Sequence, residues 1–194
     1  MQYARTVIGY HGCDLHTAEG LLRGQPFHPS TNDYDWLGHG IYFWEFGPDR
    51  AWRFALEQAA KGRIQTPAVV GALIQLGQCF DLLDTRFTHD LREFHGLWKG
   101  MMELSGALIP VNRGSTPERK GRYLDCAVIN EYLGFAKRTG TSYDAVRGVF
   151  VEGEPVYDGA GFHLESHIQL SVRNPGCILG VFQPLNGGDP GGRP

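Results

Sequence analysis

"LGHGIYFWE", residues 37–45, sets two glycines around a histidine and then runs through four bulky apolar residues into a glutamate. Gly38 and Gly40 leave bare backbone where something must approach closely. Residues 41–44 read as a strand, because β-branched and aromatic side chains suit a pleated, half-buried surface. Successive strand side chains alternate in direction, so Tyr42 and Phe43 face opposite ways and only one of them meets the main core.

Outward from this stretch the chain alternates strand-like and helix-like segments. Residues 5–10 predict a strand that ends before His11 and Gly12. "TAEGLLRG", residues 17–24, predicts a short helix with Thr17 as N-cap and a closing glycine. "QPFHPSTNDYDW", residues 25–36, is polar and proline-bearing, hence a loop. Downstream, Pro48 opens a helix over residues 49–61, stopped by Gly62, with Trp52, Ala55, Leu56 and Ala59 at helical spacing. Residues 68–84 predict one long apolar strand, central to a sheet. Residues 88–104 and 124–137 predict amphipathic helices on either side of a basic loop. Three late runs, 145–151, 167–173 and 177–182, predict strands. The glycine- and proline-rich residues 186–194 predict a flexible tail. The sum is a single α+β domain over residues 1–185, with a helical insertion at about 86–140.

Composition narrows the function classes. A chain of 194 residues has room for one proper core. Its formal net charge of −3 argues against nonspecific coating of nucleic acid, yet leaves room for a nucleic acid gripped locally. The four cysteines are scattered without a CxxC pair and read as buried free thiols. The first residues carry no apolar leader pattern, and no run approaches the roughly 18 residues of a membrane span, so the expected address is cytoplasmic with no membrane partner.

The series "YHGCDLHTAEGLLRG" (10–24), "WLGHGIYFWE" (36–45) and "DRAWRFA" (49–55) resembles the NAD-binding half of the ADP-ribosyltransferase fold, in the branch of poly(ADP-ribose) polymerases and diphtheria-type toxins. The order, intervals and residue types match from Tyr10 to about Ala55, with weaker agreement through the late strands. The resemblance implies split antiparallel β-sheets with inserted helices, and NAD as the substrate. It also implies that His11 hydrogen-bonds the adenine-side ribose, that the backbone of Gly12 clamps the nicotinamide carboxamide, and that Tyr42 stacks on the nicotinamide ring. Gly38 and Gly40 would let the strand bend and approach. A tyrosine face suits an electron-poor pyridinium.

Two positions depart from the family pattern. Gln169 in "ESHIQLSVRNPGCILGVF" (165–182) falls where the family carries a catalytic glutamate. A glutamine can accept from a ribose hydroxyl but brings no charge, a loss of about 3 kcal/mol of transition-state stabilisation by analogy with removing one oxyanion-hole donor. Glu152, Glu154 and Glu165 are the carboxylates placed to substitute, and Glu152 is the preferred one. Arg50 stands where the polymerases carry a carboxamide-binding serine, and Trp52 or Phe54 would be the second stacking aromatic. His163, Glu165 and His167 also spell His-x-Glu-x-His, but without a fourth ligand no metal is expected. Arg113, Arg119, Lys120 and Arg122 form either a solvated loop or a phosphate grip.

The function this implies is NAD-dependent mono-ADP-ribosyl transfer to a protein or nucleic-acid acceptor, of the kind carried by bacterial toxins and phage-defence effectors, with an antitoxin as a further partner. A degenerate module that binds NAD or ADP-ribose, and an NAD glycohydrolase, are the alternatives.

Overall fold

A computed structural model of the chain describes residues 5–115 and 119–185. The expected flexible tail lies outside the described residues. The elements run β1 (Thr6–Asp14), α1 (Leu15–Leu22), β2 (Ile41–Glu45), α2 (Pro48–Ala60), β3 (Pro67–Gln75), β4 (Cys79–Asp81), α3 (Thr85–Ser105), α4 (Tyr123–Arg138), β5 (Ala145–Phe150), β6 (His167–Val172) and β7 (Ile178–Phe182). The class is α+β, with a seven-stranded sheet in the order β4-β5-β6-β2-β1-β3-β7.

This sheet corrects the expectation of split antiparallel β-sheets. All seven strands belong to one sheet, and it is mixed because β4 and β5 run parallel. A parallel neighbour needs a long crossover, which here runs through α3 and α4. The join between β1 and β2, however, is only two register pairs wide: Gly9 opposite Glu45 and Tyr10 opposite Trp44. By contrast β1 follows β3 from Thr6 opposite Gln75 to Asp14 opposite Pro67. Past Tyr10 and Trp44 the sheet forks.

Local chemistry explains where the elements start and stop. Asp14, not Thr17, caps α1: its carboxylate accepts from the backbone N–H of His16 at 3.1 Å. The same carboxylate accepts from Gln65 and Thr66, which ties the helix start to the entry of β3. The expected strand over 68–84 is broken by Gly77, which turns in the left-handed region (φ +58°), and Asp144 accepts from the Gln78 N–H at 2.8 Å. α3 begins at an Asp84 cap and ends at a left-handed Gly106.

The alternation of β2 sorts the core into two layers. Ile41 and Phe43 join Val7, Ile74, Leu170 and Val172 on one face. On the other face Trp44 packs under α2 with Ala51 and Val69, while Tyr42 packs beside Leu37, Phe80 and the α4 residues Ile129 and Tyr132. Phe43 and Phe80 are fully buried, each contributing roughly 2–3 kcal/mol of apolar burial. A cleft opens over the fork, walled by α2 on one side and by the loop that holds His28, Ser30, Asp35 and Trp36 on the other.

Candidate functional site

The cleft has a volume of about 410 Å³, and its wall includes His11, Gly12, Tyr42, Trp44, Glu152 and Gln169. It therefore brings together residues from β1, β2, β6 and the segment after β5.

At the fork, the His11 ring takes over where the ladder between β1 and β2 stops. Its Nδ1 lies 2.8 Å from the carbonyl oxygen of Tyr42. A carbonyl oxygen can only accept, so Nδ1 carries the proton and Nε2 of the neutral ring keeps a bare lone pair. Burial beside Phe27 and Phe43 holds the His11 pKa below its ordinary value, with the Tyr42 carbonyl as a weaker opposing influence. The expectation of an exposed histidine at a strand end is corrected: β1 runs on to Asp14, and His11 is partly buried within it.

Tyr42 is fixed at its far end. Its hydroxyl accepts from the Leu37 N–H at 2.8 Å and donates to the Gly38 carbonyl at 2.6 Å. With both ends held, the ring is a rigid wall of the cleft at little entropic cost to a ligand. The bare backbone of the opening stretch serves this scaffold first. At Gly38 (φ +71°) a Cβ would meet the Asn130 amide oxygen, and at Gly40 it would meet the Ser171 hydroxyl. At Gly12 a Cβ would run into the carbonyl oxygen of Ala51, so that glycine is what lets α2 lie against β1. Gly12 and Gly40 still line the cleft, but their missing side chains are accounted for by packing.

On α2 the cleft face is Arg50, Phe54, Gln58 and Lys61, the i, i+4, i+8 row and the residue that follows its last turn. Trp52 is two residues off that row, about 200° around the helix, and packs against the Trp44–Ala51–Val69 cluster instead. Of the two expected alternatives Phe54, whose ring lies 5.0 Å from that of Trp44, lines the cleft and Trp52 does not, which corrects the placing of Trp52 there.

Arg50 reaches into the cleft and its Nη2 donates to Glu152 Oε2 at 3.0 Å. Glu152 is 1% exposed, and Lys120 Nζ stands 3.1 Å from its other oxygen. A buried carboxylate needs such partners, since an isolated one would be strongly disfavoured. The auxiliary charge expected at residue 152 thus reaches the cleft already paired. Trp44 Nε1 and two nitrogens of Arg50 have no hydrogen-bond partner among the described residues.

Gln169 sits directly opposite Trp44 in the β2–β6 register and is 8% exposed. Its Nε2 lies 3.0 Å from Nε2 of His167, whose Nδ1 lies 2.7 Å from the Glu165 carbonyl oxygen. Glu165 is not on the strand face of Gln169, since β6 begins only at His167, and its carboxylate pairs with Arg53 at 3.8 Å. Glu154 is exposed. His163 lies before β6 and is held at the Gly153 carbonyl, so the His-x-Glu-x-His run is not one strand. Among the described residues no group of three or more His, Cys, Asp or Glu is arranged to hold a metal ion.

Several site residues carry no local signal in the sequence. Trp36, from the polar loop, donates through Nε1 to the Lys120 carbonyl at 2.9 Å, and Arg122 lies over its ring at 4.9 Å. The basic loop is therefore folded, in part, against the site. Asp35 also lines the cleft; burial raises its pKa above the ordinary carboxylate value, against the pull of hydrogen bonds from Ser30 and Asn32. Helical spacing from Arg50 favours Phe54 over Trp52; Lys120 stands out only as part of the basic loop, and nothing in the chain places Trp36 or Asp35 at the site.

No family model matches the chain, and no solved structure matches it. Over 154 residues it is 29% identical to an uncharacterized protein of the archaeon Methanocaldococcus jannaschii, an alignment covering 77% of this chain and 67% of the relative. No function accompanies that similarity. No helix among the described residues is long and apolar enough to cross a membrane.

Proposed function

We propose that this chain is an NAD-dependent mono-ADP-ribosyltransferase, acting at the cleft over the β1–β2 fork. The observation that carries the reading is the pairing of His11 with the Tyr42 carbonyl. It leaves the imidazole one free lone pair, and His11 and the immobilised Tyr42 ring line the same cleft. The lone pair suits a ribose hydroxyl, which donates, and the ring suits a flat cationic pyridinium. Lys61 and Arg63 at the rim add positive charge suited to a pyrophosphate.

In the reaction the ribose C1′–nitrogen bond breaks, and its electron pair leaves with nicotinamide, neutralising the pyridinium. The sugar passes through an oxocarbenium-like state that a hydrogen-bond acceptor at a ribose hydroxyl stabilises. Gln169 is the residue of this chain placed to supply that acceptor. An acceptor macromolecule then attacks C1′ and gives up a proton. Gln169 brings no charge, and this favours the second reading, a module that binds NAD or ADP-ribose without turnover.

The test is incubation of the purified protein with NAD labelled in its adenine half, together with a cell lysate, followed by protease or nuclease treatment of separate samples. Transfer predicts free nicotinamide and labelled macromolecule; loss of the label to one treatment names the acceptor class. Nicotinamide without labelled macromolecule indicates a glycohydrolase. Thermal protection by NAD without nicotinamide indicates the binding module. Tyr42→Ala and Gln169→Ala are both expected to lose activity. A fully active Gln169→Ala beside a dead Glu152→Ala would move the catalytic acceptor to Glu152.

A further inference from the structure

Resting on the transferase reading, we propose that His167 is a positioning residue whose neutral ring holds the Gln169 amide with its oxygen turned toward the cleft. The geometry forces the orientation. Nδ1 of His167 must carry its proton to bond the Glu165 carbonyl at 2.7 Å, so Nε2 of the neutral ring can only accept. The group 3.0 Å from Nε2 must therefore donate, which makes it the amide NH2 of Gln169 and not its oxygen. Oε1 is left pointing away from His167, with no hydrogen bond among the described residues, on a side chain that lines the cleft.

This orientation matters because a glutamine is ambiguous where a glutamate is not. A carboxylate presents an acceptor whichever oxygen faces the substrate, whereas an amide presents a donor in one of its two orientations. A donor at the ribose hydroxyl withdraws electron density from a sugar that is becoming cationic, the reverse of what the reaction needs. Fixing the amide is thus how a neutral side chain can do an acceptor's work.

The ring is itself held. Trp36 is stacked near it at 6.3 Å and Phe150 lies at 5.7 Å. The charged groups around it come from every packed element: Arg50 on α2, Glu152 after β5, Glu165 before β6, Lys120 paired to Glu152, Arg53 paired to Glu165, and Arg122 over Trp36. Burial outweighs the Glu165 carbonyl and the opposing charges, and keeps the His167 pKa below its ordinary value. Protonation of Nε2 would make it a donor, turn the amide over and present NH2 to the substrate.

The experiment measures nicotinamide release at saturating NAD against pH for the wild type, His167→Phe, Gln169→Glu and the double variant. In the wild type kcat should fall toward acid pH, on the acid side of the ordinary histidine range, the sense expected for a histidine that must be neutral. His167→Phe should lose about tenfold in kcat with KM nearly unchanged, and should lose that acid limb. In the Gln169→Glu background the same change should cost less than about twofold, because a carboxylate needs no orienting. Equal losses in both backgrounds, or an unchanged acid limb in His167→Phe, would overturn the proposal. Should His167→Phe not fold, nitrogen NMR of the wild-type protein decides: a proton on Nδ1, and a Gln169 NH2 resonance titrating with His167, support it, and a proton on Nε2 at neutral pH refutes it. A wild type that releases no nicotinamide ends the transferase reading, while the NMR result still stands or falls alone.

Discussion

The imidazole of His11 donates from Nδ1 to the carbonyl oxygen of Tyr42 at 2.8 Å, across the gap where β1 and β2 part after only two register pairs. One hydrogen bond thus closes the fork and fixes which ring nitrogen carries the proton. His11→Leu removes both effects while keeping an apolar body beside Phe27 and Phe43. We expect kcat/KM for nicotinamide release to fall about 10- to 100-fold, or roughly 1.5–3 kcal/mol. Steady-state kinetics on a folded variant checks this.

Gly12 is expected to matter through packing. A methyl group there meets the backbone carbonyl of Ala51, and backbone cannot move aside as a flexible side chain can. Gly12→Ala should cost about 3 kcal/mol, or roughly 6–12 °C in Tm for a domain of this size, read by thermal denaturation without NAD. An unchanged Tm would return the glycine to a purely ligand-facing role.

Glu152 holds a nearly buried guanidinium and a half-exposed ammonium. Glu152→Gln leaves Arg50 with only the long contact to the half-exposed Glu57 at 4.0 Å, and about 3 kcal/mol of stability should go with it. Lys120, exposed at 53%, should add less than about 1 kcal/mol. Urea unfolding measures the sum, and a cycle with Arg50→Met should show coupling well above 0.5 kcal/mol.

All four cysteines are free and buried. Burial pushes the Cys13 and Cys79 thiols up to about 12 and Cys126 up to about 11. Native protein at pH 8 should therefore leave all four unreactive to Ellman's reagent, and unfolded protein should expose four. The linked effect has a definite sign. Once the pH passes the ordinary thiol value, the unfolded chain releases thiol protons while the folded chain keeps them, so stability falls with rising pH. The slope is about 1.4 kcal/mol per pH unit for each of Cys13, Cys79 and Cys126 between pH about 9 and 11. Cys79→Ser should flatten it.

Much of the fold was legible because periodicity and punctuation act locally. The positions of α2, α3, α4, β5 and β6 follow from apolar spacing, Pro48 and the glycine stops. Legibility failed where a partner distant in sequence decides. Asp14 outcompetes Thr17 as a cap because it also serves Gln65 and Thr66. The break between β3 and β4 depends on Asp144, far along the chain from Gln78. At the site, His11, Tyr42, Arg50, Glu152 and Gln169 do share one cleft, but Trp52 does not. Trp36 and Lys120 come together across 84 residues, which no local pattern encodes. The glycines of residues 37–45 suggest room for a ligand, yet what first fills that room is Asn130 and Ser171.

The proposed function stands on NAD being held at the fork so that its glycosidic bond breaks. The direct measurement is nicotinamide released from NAD by the purified wild-type protein and by Tyr42→Ala, separated by chromatography. We predict release by the wild type and a loss of at least about tenfold in Tyr42→Ala, in keeping with the value of one aromatic contact to a cationic ring. Absence of release by folded wild type in the presence of lysate, or equal release by Tyr42→Ala, would contradict it.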